Sequence, residues 1–144
     1  MGFSGEAWLD HQWGNFAEDP RALNWDWFSC RFRDRTELML YRFRSRDGTP
    51  LVRYRSGTFA ARDGHGKLVR SFEIIAGNRV LDAAGGHWPL DWQLHVLSAG
   101  LALSLRSVVD DQLVRGQLLP TFWEGAADVT GTKRGVCFVE QTYA

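Results

Sequence analysis

Residues 37–64 read Glu37-Leu38-Met39-Leu40-Tyr41-Arg42-Phe43-Arg44-Ser45-Arg46-Asp47-Gly48-Thr49-Pro50-Leu51-Val52-Arg53-Tyr54-Arg55-Ser56-Gly57-Thr58-Phe59-Ala60-Ala61-Arg62-Asp63-Gly64. Side chains alternate in character along both runs, and each run ends on an Asp-Gly pair. A period of two marks a strand buried on one face. Glycine after aspartate supplies the positive φ that a tight hairpin needs. The stretch therefore predicts two successive antiparallel hairpins. Working outward, the same period covers 6–13, 25–33, 37–44, 51–61, 67–76, 88–97, 101–109, 121–129 and 135–143. That is one segment more than the strand count expected. The short polar loop Thr130-Gly131-Thr132-Lys133-Arg134-Gly135 joins the last two, and only 17–23 and 110–117 lack alternation enough to hold a helical turn.

Short antiparallel strands at regular spacing predict an all-β fold, either an antiparallel barrel of about eight strands, closed or partly open, or a two-sheet sandwich. With 144 residues the chain is expected to form one domain over 1–144. A barrel of about eight strands is wide enough to enclose one small ligand.

Composition excludes several classes of function. Seventeen basic residues balance seventeen acidic ones, so no whole-chain charge draws the protein to nucleic acid or to a membrane surface. The stretch 31–55 holds eight arginines among aromatic residues, a pattern that can bind single strands. Arg42 with Arg44 and Arg53 with Arg55 lie two apart, however, and are read as the solvated face of a hairpin. The longest mostly apolar run, 96–105, is about half the length of a membrane-spanning helix, so no span is expected. The opening residues lack a secretory pattern, which makes cytoplasmic residence the default expectation. Cys30 and Cys137 are too few for a disulfide framework or a four-thiolate zinc site and are read as small packing residues. His11, His65, His87 and His95 have no metal-ligand spacing, and no glycine loop stands in a phosphate-binding setting. Neither a metal nor a cofactor is expected.

Alternation places His11 and Trp13 on one face with Ala7 and Leu9. Asn24, Asp26, Phe28, Cys30 and Phe32 share a face opposite Trp25, Trp27, Ser29 and Arg31. A carboxyl on an inward apolar face is desolvated, which favours the protonated form that can donate a proton. The plainer alternative is a side chain that is exposed or bound to a turn. Glu124 and Glu140 are expected to face one another across the last hairpin, or else to pair with arginine or point to solvent. Seven tryptophans suit the wall of an apolar ligand cavity and suit a packed barrel core equally well.

Two segments carry a family resemblance. Gly5-Glu6-Ala7-Trp8-Leu9-Asp10-His11-Gln12-Trp13-Gly14, followed by Trp25-Asp26-Trp27-Phe28, resembles the opening of the second lipocalin-like domain in proteins related to carotenoid 1,2-hydratase (hydroxyneurosporene synthase) and in AttH-like proteins. Phe122-Trp123-Glu124-Gly125, Gly131, Gly135 and Val139-Glu140-Gln141-Thr142-Tyr143 resemble that family's closing hairpin, except that Thr142 joins Tyr143 directly where relatives often have a glycine. Relatives usually carry two such domains, and this chain looks like the C-terminal half.

The resemblance implies a lipocalin-like barrel that binds a hydrophobic small molecule of isoprenoid type. It also implies a hydro-lyase activity that adds water across a carbon–carbon double bond, although fungal relatives that act as pericyclic cyclases show that one fold carries several reactions. Asp26 is then the expected acid and His11 the residue orienting it or the water. Trp13, Trp25 and Trp27 would stabilise a carbocation, with Trp123 and Glu124 also binding substrate. The competing expectations are a non-catalytic module for lipophilic ligands and a structural half whose aromatic residues pack on a second lipocalin-like domain.

Overall fold

In the computed structural model, alternation of side chains between two faces places the strands much as the sequence implies, and the departures occur where the chain must turn a corner. The structure describes residues 24–45, 47–83, 86–115 and 121–142, together with Gly2, Ser4 and Leu9. The segments 6–13 and 17–23, with His11 and Trp13, lie, apart from Leu9, outside the described residues.

Among the described residues twelve strands follow in chain order: β1 (Asn24–Phe32), β2 (Glu37–Arg44), β3 (Pro50–Ala60), β4 (Gly66–Val69), β5 (Glu73–Ala76), β6 (Val80–Ala83), β7 (Gly86–Pro89), β8 (Asp91–Val96), β9 (Leu101–Ser107), β10 (Leu113–Val114), β11 (Phe122–Gly131) and β12 (Gly135–Thr142). The main sheet runs β4-β3-β2-β1-β12-β11-β9-β8-β5, every pairing antiparallel, with β10 beside the start of β11. β6 and β7 form a separate hairpin. The two Asp-Gly turns are as expected, with Gly48 and Gly64 at φ 84° and 86°.

The expected strand at 67–76 is two strands on opposite edges of the sheet. Arg70, Ser71 and Phe72 carry the chain from β4 directly to β5, so the edges are joined by three residues and by no ladder between them. Side chains cross this seam. Arg42 Nη1 on β2 donates to the carbonyl oxygen of Ile74 on β5 at 3.0 Å, and the Arg55 guanidinium lies over the Phe72 ring. The result is a curled, open, lipocalin-like barrel. The expected strand at 88–97 is likewise broken at Leu90, whose N–H donates to the Arg79 carbonyl oxygen just before β6 while its C=O accepts from Ser107 N–H at the end of β9. Where 110–117 was expected to hold a helical turn, Leu113 and Val114 pair with Trp123 and Phe122. Among the described residues one 3-10 turn, Leu97–Ala99, ends on Gly100 in the left-handed region.

One set of faces forms the core: Phe28, Leu38, Leu40, Leu94, Leu103, Leu105 and Val139 are all buried across the middle of the inner side. Packing there is tight. A Cβ on Gly57 would lie 2.5 Å from both the Leu40 side chain and the Met39 carbonyl oxygen, so only glycine fits opposite Leu40. Cys30 and Cys137 correct the expectation of two packing thiols. They face each other directly across β1 and β12 and form a disulfide in the core. Sequence spacing could not show this, because the bridge depends on the register of strands whose cysteines are 107 residues apart. Among the described residues no helix is long and apolar enough to cross a membrane.

Candidate functional site

The inner face changes character at one end of the barrel, where β1 and β11 begin and β2 and β12 end. Along β2 the residues facing inward are Leu38, Leu40, Arg42 and Arg44; along β1 they are Asn24, Asp26 and Phe28. Register brings Asp26 opposite Arg42 on one side and opposite Gln141 of β12 on the other. The Asp26 side chain is 4% exposed, Arg44 4% and Arg42 18%. Arg42 and Arg44 are therefore not the solvated face expected from their spacing. The alternation that buries Leu38 and Leu40 carries both arginines inward, and a buried carboxylate makes that position tolerable.

The cluster is closely bonded. Arg42 Nε donates to Asp26 Oδ2 at 2.6 Å, and Arg44 donates through Nε to Oδ2 at 2.9 Å and through Nη2 to Oδ1 at 3.0 Å. Arg44 Nη2 also donates to the Thr142 carbonyl oxygen at 2.5 Å. Both Asp26 oxygens thus accept from guanidinium groups. Such charge-assisted, bidentate pairing fixes the carboxyl in orientation and offsets part of its desolvation.

Beside this cluster lie large aromatic groups and two unpaired polar atoms. Trp92 meets Phe28 edge-on at 5.9 Å and Trp123 at a tilt at 5.7 Å, and Trp123 Nε1 donates to the Asp110 carbonyl oxygen at 2.7 Å. Gln141 is fully buried and its Nε2 donates to the Pro89 carbonyl oxygen at 2.7 Å. Its Oε1 has no hydrogen-bond partner, and neither has Nε1 of the buried Trp88.

The residues singled out from sequence divide between the two sides of the sheet. Asp26 and Trp123 face inward, whereas Trp25, Trp27 and Glu124 face outward. On the outer side Trp25 Nε1 donates to Glu140 Oε1 at 2.5 Å, Trp25 lies 6.4 Å from Phe122, and Trp27 meets Phe138 edge-on at 6.5 Å. Glu124 does stand opposite Glu140. Side chains on opposite faces of one strand cannot line one cavity, so Trp25 and Trp27 cannot share a ligand site with Asp26. His11 and Trp13 lie outside the described residues.

Sequence reasoning missed Arg42, Arg44, Trp88 and Gln141. The first two were legible from the alternation that starts at Leu38, and Gln141 from the one that starts at Cys137. Among the described residues no group of three His, Cys, Asp or Glu side chains is placed to hold a metal ion.

A family model described as AttH-like matches residues 1–143. Two solved structures share the fold. An AttH from Nitrosomonas europaea superposes with a TM-score of 0.75 at 22% identity over 87% of this chain and 40% of its own. Kievitone hydratase from Nectria haematococca gives 0.75 at 26% identity over 93% of this chain and 43% of its own. The chain thus spans about two fifths of the length of either. No curated protein matches it significantly.

Proposed function

We propose, from the premise that the chain belongs to the AttH-like family, that the inner face binds a hydrophobic small molecule of isoprenoid type at its polar end. The observation that carries this reading is the buried Asp26–Arg42–Arg44 cluster set beside the Trp92–Trp123 pair. A few fixed polar groups among aromatic walls are what a site for a mostly apolar ligand requires. The double guanidinium clamp on Asp26 favours a binding role, because a carboxyl with both oxygens engaged is fixed in orientation and orients the groups around it.

The likeness to kievitone hydratase supports a second, catalytic reading: addition of water across a carbon–carbon double bond. The π electrons take a proton from the Asp26 carboxyl to form a C–H bond, the other carbon becomes cationic, and water adds there and returns a proton to the carboxylate. In this reading Asp26, as the resemblance implies, is the carboxyl beside the reacting carbons, with His11 orienting it or the water and Trp13 and Trp123 facing the cation. The outer-face pairs Trp25–Phe122 and Trp27–Phe138 are then free for a different task. With Glu124 at their margin, they would pack on a second lipocalin-like domain, as the greater length of both structural neighbours suggests, making 1–144 one half of a two-domain protein.

Titration of the chain with farnesene, followed by tryptophan fluorescence, tests the binding reading, and mass analysis for a gain of one water tests the catalytic one. Saturable binding is expected, and its absence would contradict the proposal. If Asp26 is catalytic, Asp26→Asn abolishes hydration while affinity stays within about threefold; turnover that survives the substitution removes Asp26 from the chemistry.

A further inference from the structure

We infer that Trp88 and Gln141 form a subsite for a hydroxyl group of the bound ligand, an inference that rests on the binding reading above. Gln141 Nε2 donates to the carbonyl oxygen of Pro89, the residue that follows Trp88, which brings the two residues to one part of the fold. Trp88 is 1% exposed and Gln141 0%. Each leaves one polar atom without a partner, a donor at Trp88 Nε1 and an acceptor at Gln141 Oε1. Folded proteins rarely leave such atoms unpaired, and the exceptions call for an explanation. Here the two requirements are complementary. A hydroxyl is the small neutral group that both accepts and donates, so an apolar molecule bearing a hydroxyl offers a partner to both atoms.

Several polar groups around the subsite already have partners. Asp26 accepts from Arg42 and Arg44, Trp123 Nε1 donates to Asp110, and the amide nitrogen of Gln141 is held by Pro89. Selectivity for oxygen at this end therefore falls to Trp88 and Gln141. An ether satisfies the indole alone, and a hydrocarbon satisfies neither.

The test compares farnesol, farnesyl methyl ether and farnesene on the full chain by calorimetry. The expected order is alcohol, ether, hydrocarbon, with about a tenfold advantage of alcohol over hydrocarbon. Trp88→Phe removes the indole donor without breaking any hydrogen bond of the empty protein. It is expected to cancel the advantage of ether over hydrocarbon and to reduce that of the alcohol, a change in ratio that a packing defect alone would not produce. Equal affinities for all three probes in the parent chain would overturn the inference while leaving the binding reading intact. An unchanged ratio in a folded Trp88→Phe variant would overturn it too. If that variant fails to fold, the three probes on the parent chain still decide. If none of the three binds, the binding reading falls and takes the inference with it. Crystals grown with farnesol separate ligand from solvent: the hydroxyl on Gln141 Oε1 or Trp88 Nε1 supports the assignment, and water retained on both atoms contradicts it.

Discussion

Asp34 shows how one side chain ties together two turns. It sits between β1 and β2, where its Oδ1 accepts from the Thr36 amide at 3.1 Å and the Thr36 hydroxyl at 2.7 Å, while its Oδ2 pairs with Lys133 from the β11–β12 loop. The Lys133 ammonium also lies over the Phe32 and Phe59 rings. Hydrogen bonds from Lys133 and then Thr36 hold the Asp34 carboxyl down to about 2. A carboxyl lowered on folding contributes stability above its unfolded value of 3.8, and that contribution is lost as pH falls through about 2. The melting temperature is therefore expected to fall between these two pH values, and to fall less steeply in Asp34→Asn. The slope is modest because the side chain is half exposed and screened by solvent. Identical slopes in the two proteins would show that Asp34 contributes nothing. At this scale the sequence was misleading about the arginines: pairs two apart suggested a wet face, whereas Asp26 on the neighbouring strand draws Arg42 and Arg44 inward. The alternation that begins at Leu38 already pointed both of them inward, and the carboxylate that makes the position tolerable comes from another strand.

Among elements, β1 and β12 form the seam on which the fold depends, because they join the first described strand to the last and carry the Cys30–Cys137 bridge. Closing a loop of 107 residues removes much unfolded-chain entropy, and loss of such a bridge costs about 2–5 kcal/mol. For a chain of this size that corresponds to a melting temperature lower by on the order of 10 °C. Chain made in a reducing cytoplasm is expected to show two free thiols and this lower transition, and oxidation should restore the higher one. Equal transitions for oxidised and reduced protein, with the thiol count confirmed by alkylation, would contradict the role given to the bridge. Alternation located β1, β2, β9, β11 and β12 because each is half buried along its length, and β3, of which only Gly57 is buried, was framed by its two Asp-Gly turns. It merged β4 with β5 and β7 with β8, since a corner of one to three residues does not interrupt the apolar pattern: Val69, Phe72 and Ile74 are buried on both sides of one corner and Trp88, Leu90 and Trp92 across the other.

For the whole molecule the decisive property is which side of the sheet receives a ligand. The inward placement of Asp26 was legible from the apolar company of Phe28, Cys30 and Phe32. The conflict between Asp26 and the neighbouring Trp25 and Trp27 was equally legible, since adjacent residues of a strand point to opposite faces. What the sequence could not display was the curl that brings Ile74 to Arg42 and Pro89 to Gln141 from strands far apart in the chain. The indole N–H resonances of the tryptophans report on both faces at once. Titrated with farnesene or farnesol, the protein is expected to show shifted signals for Trp88, Trp92 and Trp123, with those of Trp25 and Trp27 unmoved. Shifts confined to Trp25 and Trp27 would place the ligand on the outer face and contradict the account.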